Sequence, residues 1–331
     1  MPDSNTTPVL ILFGPTASGK TALLERLFGF GEKKFPGPVE IISADSMQVY
    51  RGMDIGTAKP SPEERAKIPH HLIDIRDPNE QFSAGEFVRL TEEACLSAAG
   101  RGALPVVSGG TGFYIKNLVM GLSEAPPSDL VIRRELKEEL SLRGASSLLE
   151  ELAKADPVSA SRIHVNDEYR LLRALEVFRL TGCPLSSYAS PWTRALSPVG
   201  LCENARPFRF LLIGLRRGRE ELYDRINARA ATMFHAGLPG EVRRLYEAGF
   251  TPEDPGLRAI GYREFFVEEA GAWRLSEDLA GVEALVAQNS RRYAKRQITF
   301  FASIPGVKWL DSTGEADNGE QATQAIQDFC G

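Results

Sequence analysis

Apolar residues gather in four short runs, and each run stops at a glycine or at a residue with a hydroxyl or carboxylate. Val9-Leu10-Ile11-Leu12-Phe13 stops at Gly14, and Val39-Glu40-Ile41-Ile42 at Ser43-Ala44-Asp45. Pro105-Val106-Val107 precedes Ser108-Gly109-Gly110, and Phe210-Leu211-Leu212-Ile213 precedes Gly214. A short continuous apolar run bounded by turn residues fits a strand buried on both faces. Helix-period patterns fill most of the intervals, and this alternation predicts an α/β fold, a parallel sheet with helices on both faces. Ligands of such sheets bind beyond the carboxyl ends of the strands, so the residues after each run are the candidates for chemistry.

Between residues 123 and 207 the texture changes to amphipathic helix with no buried strand run. Residues 131–155 are rich in Leu, Glu, Arg and Lys. The next segment opens with the cap candidates Asn166 and Asp167, carries Leu171, Leu172, Leu175 and Phe178 on one face, and stops at Gly182 before Pro184. The expected organisation is a core begun by residues 1–122, a helical insertion domain over 123–207, and completion of the core over 208–331 with a basic C-terminal helix. Residues 186–206, with Trp192, read as a loop-rich return to the core.

A chain of 331 residues that is 43% hydrophobic can bury a large core. Residues 1–8 lack a basic start, and the apolar run after them is too short for a signal segment or a membrane span, so a cytoplasmic protein with no membrane partner is expected. Cys95, Cys183, Cys202 and Cys330 are scattered, which fits thiols in a reducing compartment and neither zinc nor disulfides. His70, His71, His164 and His235 lack metal-ligand spacing and read as surface or hydrogen-bonded residues.

The segment after the first run carries the sharpest chemistry. Gly14-Pro15-Thr16-Ala17-Ser18-Gly19-Lys20-Thr21 fits G-x-x-x-x-G-K-[ST] between a predicted strand and helix, the setting of a phosphate-binding loop. Backbone N–H groups turned inward, the mobile charge of Lys20, and the Thr21 hydroxyl on Mg²⁺ together grip a phosphate chain. The fold expected is therefore P-loop NTPase-like, with nucleotide or ATP binding among its uses. Asp45, at the end of the second run, suits water-mediated binding of Mg²⁺, acceptance of a proton, or a helix cap. After the third run Gly109 and Gly110 permit close backbone approach, and Thr111 presents a hydroxyl at the same sheet edge; an ordinary strand-to-helix turn reads the same way.

A formal net charge of -5 conceals local basic patches. Residues 284–300 contain Arg291, Arg292, Lys295 and Arg296 and no acidic residue, and Arg216, Arg217 and Arg219 form a second group. Such patches follow a phosphate backbone or solvate a helix face.

Taken together, these segments resemble the bacterial tRNA dimethylallyltransferase family, also called tRNA isopentenyltransferase. The likeness runs through the phosphate loop, Asp45-Ser46-x-Gln48-Val49-Tyr50, Met53-Asp54-Ile55-Gly56-Thr57-Ala58-Lys59, residues 69–74 and Gly109-Gly110-Thr111-x-x-Tyr114. It continues through Arg170-Leu171-x-Arg173-Ala174-Leu175-Glu176-Val177, Arg225-Ile226-Asn227-x-Arg229, Ile260-Gly261-Tyr262-Arg263-Glu264 and Ala294-Lys295-Arg296-Gln297-x-Thr299.

The resemblance implies transfer of a dimethylallyl group from dimethylallyl diphosphate to the exocyclic amine of the adenine on the 3′ side of a tRNA anticodon. It implies that the loop, residues 14–21, holds the donor's diphosphate, with Lys20, Arg225 and Mg²⁺ at Thr21 neutralising the leaving group. Asp45 is then the general base and Thr111 orients the reacting groups. The target adenine must leave its stack, with Ser46, Met47 and Gln48 about its pocket. By the same resemblance Arg133, Arg170 and Arg173 of the insertion, Arg258, Gly261 and Arg263, and Lys295, Arg296 and Gln297 meet the anticodon stem-loop, and the protein is a monomer. Phe113 departs from the family's usual Leu, and after Phe301 only Cys330 remains, with no His, so the eukaryotic relatives' zinc finger is absent, which fits the bacterial form.

Three other functions use the same loop. A small-molecule kinase would need an arginine-dense lid, a GTPase-like RNA-binding module would need a guanine-reading N-K-x-D segment, and a prenyltransferase for free adenine nucleotides leaves the helical insertion without a purpose.

Overall fold

The computed structural model describes residues 6–29, 35, 37–188, 207–313 and 318–330. Trp192, Cys202 and most of the expected return loop lie outside the described residues. The backbone divides into two compact units, one formed by Met1–Val119 with Asn204–Gly331 and the other by Met120–Glu203.

The first unit opens with β1 (Thr7–Phe13), α1 (Lys20–Phe28), β2 (Val39–Ser43), α2 (Pro62–Lys67), β3 (His70–His71), α3 (Ala84–Gly100), β4 (Leu104–Gly109) and α4 (Gly112–Met120). The second unit contains α5 (Leu130–Ala155), α6 (Pro157–Ala160) and α7 (Glu168–Thr181). The first unit resumes with β5 (Phe208–Arg216), α8 (Arg219–His235), α9 (Leu238–Glu247), β6 (Phe266–Glu269), β7 (Ala272–Leu275), α10 (Leu279–Phe301), β8 (Lys308–Asp311) and α11 (Asn318–Cys330).

Six strands form one sheet in the order β3-β2-β4-β1-β5-β8, and every pairing in it is parallel. The four apolar runs are its four inner strands. Alternate residues of β1 serve opposite layers, as the two-residue period of a strand requires. Val9, Ile11 and Phe13 pack with Phe87 of α3, Ile115 of α4 and Phe301 of α10, while Leu10 and Leu12 pack with Leu23 and Leu27 of α1 and Ile326 of α11. Burial of each such side chain contributes about 1.5–3 kcal/mol. The outer strands β3 and β8 were not among the apolar runs, because an edge strand of two or four residues needs no continuous apolar sequence. A third apolar cluster joins α8, α9 and α10 to the β6–β7 hairpin around the fully buried Tyr262.

In the second unit, Asp129 caps α5 by accepting from the N–H groups of Val131 and Ile132, and Asp167 caps α7 by accepting from Arg170 N–H. Gly144, at φ 75, breaks the helical path within α5, and Gly182, at φ 70, ends α7 in the left-handed conformation that glycine adopts without penalty. Leu136, Leu148, Leu152, Leu171 and Leu175 form the unit's own core. Among the described residues no helix is long and apolar enough to cross a membrane.

Candidate active site

The phosphate loop turns directly off the end of β1 and into α1. A side chain at Gly14 would bring its Cβ to 2.7 Å from Ser18 Oγ and 3.1 Å from the Leu215 carbonyl, so the first turn requires glycine. Ala17 and Gly19 both have left-handed backbone, with φ 62 and φ 103. Lys20 Nζ folds back to donate to the carbonyls of Gly14 at 2.9 Å and Pro15 at 3.0 Å. Burial, and then the nearby charge of Arg229, bring the Lys20 ammonium down from 10.5 to about 8, with Asp45 opposing both. The hydroxyl of Ser18 is buried in the loop with no hydrogen-bond partner.

Arginines from the second segment of this unit close on the same loop. Arg225 Nε of α8 donates to the Ala17 carbonyl at 3.1 Å, and Arg217 donates to the Ser18 carbonyl at 3.4 Å. With Lys20 and Arg229 they make a dense cationic surround, which favours a polyanion.

The ends of β2 and β4 are tied together beside it. Thr111 N–H donates to the Ala44 carbonyl at 3.1 Å, and Ser46 N–H donates to Thr111 Oγ1 at 3.0 Å. Asp45 Oδ1 accepts from Met47 N–H at 2.9 Å, and the carboxylate acts electrostatically on Lys20, Arg229 and Tyr293. The Tyr293 phenol is pushed up to about 12 by burial and then by Asp45, with Thr111, Arg296 and Gln297 acting against the shift. Gln48 is fully oriented: Oε1 accepts from Ser43 Oγ at 2.8 Å, and Nε2 donates to the carbonyls of Thr57 and Ala58 at 3.3 and 3.2 Å. The structure thus brings Lys20, Asp45, Thr111 and Arg225 to one edge of the sheet.

Of the candidates for RNA contact in this unit, Arg258, Arg263, Lys295 and Arg296 have exposed side chains. Arg263 stacks its guanidinium 4.6 Å over the Trp273 ring, while Gly261, at φ 97, is a buried turn. Gln297 differs from the surface contact expected of it. It is 5% exposed, and its amide accepts from Thr16 N–H at 3.0 Å and donates to the Gly110 carbonyl at 2.8 Å.

The three insertion arginines belong to the second unit. Arg170 is 73% exposed and pairs with Asp167. Arg133 and Arg173 both reach the buried carboxylate of Glu176 at 3.0 Å, and Arg133 also covers the Tyr169 ring at 4.6 Å.

Four residues of the first unit's site and its surround are not among the candidates the sequence offers. Arg217 and Arg229 lie within a basic cluster and a motif segment, and Tyr293 precedes the candidate Gln297 by one helical turn on α10, so position carries a signal for these three. Glu241 carried none: a glutamate on an amphipathic helix reads as solvated, yet it is 2% exposed.

Among the described residues no group of three or more His, Cys, Asp or Glu side chains could hold a metal ion. The exposed Thr21 in the first turn of α1 suits a magnesium ion whose other ligands are phosphate oxygens and water.

The family described as IPP transferase matches residues 48–303. A tRNA dimethylallyltransferase of Geobacter sulfurreducens is 43% identical over 312 residues, 94% of each chain. One from Pelobacter propionicus is 45% identical over 303 residues, 92% of each. The crystal structure of the full-length tRNA isopentenylpyrophosphate transferase of Bacillus halodurans aligns with a TM-score of 0.63 at 35% identity, covering 98% of this chain and 96% of that one. A eukaryotic dimethylallyltransferase captured acting on tRNA aligns with a TM-score of 0.77 at 27% identity, covering 98% and 80%.

Proposed function

The chain belongs to the IPP transferase family and is a tRNA dimethylallyltransferase, and we propose that it prenylates the adenine on the 3′ side of the anticodon with dimethylallyl diphosphate as donor. The observation that carries this reading is the meeting of Lys20 and Arg225 at the phosphate loop with Asp45 and Thr111 at the neighbouring strand ends. The cationic loop receives the donor's diphosphate, and the carboxylate and hydroxyl beside it receive the acceptor base.

In the reaction, the exocyclic nitrogen of adenine bonds to the first carbon of the allyl group as that carbon's bond to the diphosphate oxygen breaks. The bonding pair leaves with the diphosphate. Adenine's amine is a weak nucleophile because its lone pair is delocalised into the ring, so Asp45 takes the proton as the bond forms. Lys20, Arg217 and Arg225 hold the oxygens on which negative charge grows. Thr111, fixed by its bonds to Ala44 and Ser46, orients the acceptor. Magnesium at Thr21 would add charge neutralisation on the diphosphate; the fit rests on the cationic loop and on the exposed Thr21 in the first turn of α1. The exposed Arg258, Arg263, Lys295 and Arg296, with Arg170 of the insertion, bind the anticodon stem-loop.

The test is mass spectrometry of unmodified tRNA with an adenine-rich anticodon loop, incubated with the protein, Mg²⁺ and either dimethylallyl diphosphate or ATP. A prenyl-sized gain at the adenine beside the anticodon, independent of ATP, is expected. Phosphate transfer or hydrolysis with ATP and no prenyl gain would replace this reading with a kinase or NTPase.

A further inference from the structure

Gln297 sits where three elements meet. Its amide accepts from Thr16 N–H in the phosphate loop at 3.0 Å and donates to the Gly110 carbonyl after β4 at 2.8 Å. An amide suits this position because one end must accept while the other donates; a carboxylate, an amine or a hydrocarbon satisfies at most one end without adding a proton. The surrounding backbone is shaped for it. A Cβ at Gly110 would lie 2.7 Å from Gln297 Nε2, and one at Gly112 would lie 2.6 Å from the Phe300 ring, so two glycines admit α10 against this turn.

The two groups that Gln297 joins serve different substrates. Thr16 belongs to the loop that holds the diphosphate, and Gly110 precedes Thr111, which orients the acceptor. The next residues back along α10, Lys295 and Arg296, are exposed, while Gln297 is buried among apolar neighbours at 294 and 301. We infer that Gln297 is a positioning residue: a single buried amide sets the distance between the donor-holding loop and the acceptor-orienting turn, and its work is done without contact to RNA.

This inference rests on the transferase reading, but its central test needs no turnover. Gln297→Met keeps the side chain's length and removes both hydrogen bonds; Gln297→Glu keeps an acceptor for Thr16 N–H and, when ionised, loses the donor to Gly110. The probes are inorganic diphosphate with Mg²⁺, by calorimetry, and an anticodon stem-loop, by fluorescence anisotropy. Gln297→Met is expected to weaken diphosphate binding about tenfold, the scale of one hydrogen bond, with stem-loop affinity within about twofold of the parent. Gln297→Glu is expected to retain most diphosphate affinity and lose kcat, with its kcat relative to the parent at the same pH rising as falling pH protonates the carboxyl and restores a donor. A general packing role would lower melting temperature without this split or the pH-dependent recovery.

Stem-loop affinity falling in step with diphosphate affinity would overturn the inference in favour of RNA contact, as would unchanged diphosphate binding in the Met variant. If Gln297→Met does not fold, the pH profile of Gln297→Glu decides alone, and a flat profile overturns the inference. Failure of the parent protein to prenylate tRNA would count against the function instead, leaving the diphosphate comparison intact.

Discussion

The phenol of Tyr262 donates to Oε1 of Glu241 at 2.6 Å, with both side chains buried. The same carboxylate accepts from the N–H groups of Asp54 at 3.0 Å, Ile55 at 2.9 Å and Gly56 at 3.2 Å. Burial and then Glu241 push the Tyr262 phenol well above its ordinary range, so it remains a donor. A buried carboxylate surrounded by four donors is an organising centre for the loop that carries the Thr57 and Ala58 carbonyls, and through them the amide of Gln48.

Removing that centre should be costly. Glu241→Ala leaves buried N–H groups without an acceptor and is expected to lose at least about 3 kcal/mol, whereas Tyr262→Phe should lose about 1–2 kcal/mol. Urea unfolding of the two variants checks the order.

Asp45→Asn keeps the side chain's shape and its acceptor for Met47 N–H but removes the base. Turnover should fall about 10²–10⁴-fold, with stem-loop affinity within about threefold of the parent. Single-turnover kinetics beside anisotropy separates the two; full activity in the variant would refute the proton-acceptor role.

Acid stability should carry the mark of Glu40. Hydrogen bonding from Arg101, opposed by burial and aided by His71, holds its carboxyl at about 2 against an ordinary 4.5. A carboxyl depressed in the fold contributes stability that is complete above about 4.5 and is lost as pH falls toward about 2. Thermal unfolding in that window should be steeper in pH for the parent than for Glu40→Gln.

Adjacent glycines should behave differently. A Cβ at Gly109 would sit 2.2 Å from the Ala44 carbonyl oxygen, a backbone atom just past the end of β2, so Gly109→Ala should fail to accumulate as folded protein. At Gly110 the nearest atom is the end of the Gln297 side chain, at 2.7 Å. Gly110→Ala should fold and lose turnover, as measured by circular dichroism beside the prenylation assay.

Two arginines three residues apart on α7 should separate stability from RNA binding. Arg173→Ala removes one of the two arginines that reach the buried Glu176, with Arg133 remaining, and is expected to cost about 1.5–3 kcal/mol. Arg170→Ala, at an exposed site, should stay within about 1 kcal/mol while weakening stem-loop binding.

The phosphate loop, the inner strands and the caps of α7 were legible because each is a local pattern: a glycine spacing, an apolar run, an Asp and a Gly at helix ends. Lys20, Asp45, Thr111 and Arg225 were legible as residues because motifs carry them, and their strand-end positions followed from the fold class. Gln297 was named with its exposed neighbours, although Ala294 and Phe301 on the same helix face marked it as inward. Glu241 was illegible for a different reason. Its donors lie at residues 54–56 and 262, and a sequence does not display a carboxylate's partners across nearly two hundred residues.

The central strand also sets a timetable for synthesis. β1 pairs on one side with β4 and on the other with β5, from Thr7 against Phe208 to Phe13 against Gly214. At a ribosomal rate of about 5–20 residues per second, roughly 10–40 s separate the synthesis of β1 from that of β5. Throughout that interval the β5-facing side of the strand destined for the middle of the sheet is an open edge, a template for wrong pairing. The helical unit, Met120–Glu203, is translated entirely within the same interval. Such a nascent chain finishes its inserted part before its host, and one released before residue 208 is an unfinished sheet with an exposed edge, a substrate for chaperones and proteases with none of the enzyme's activity.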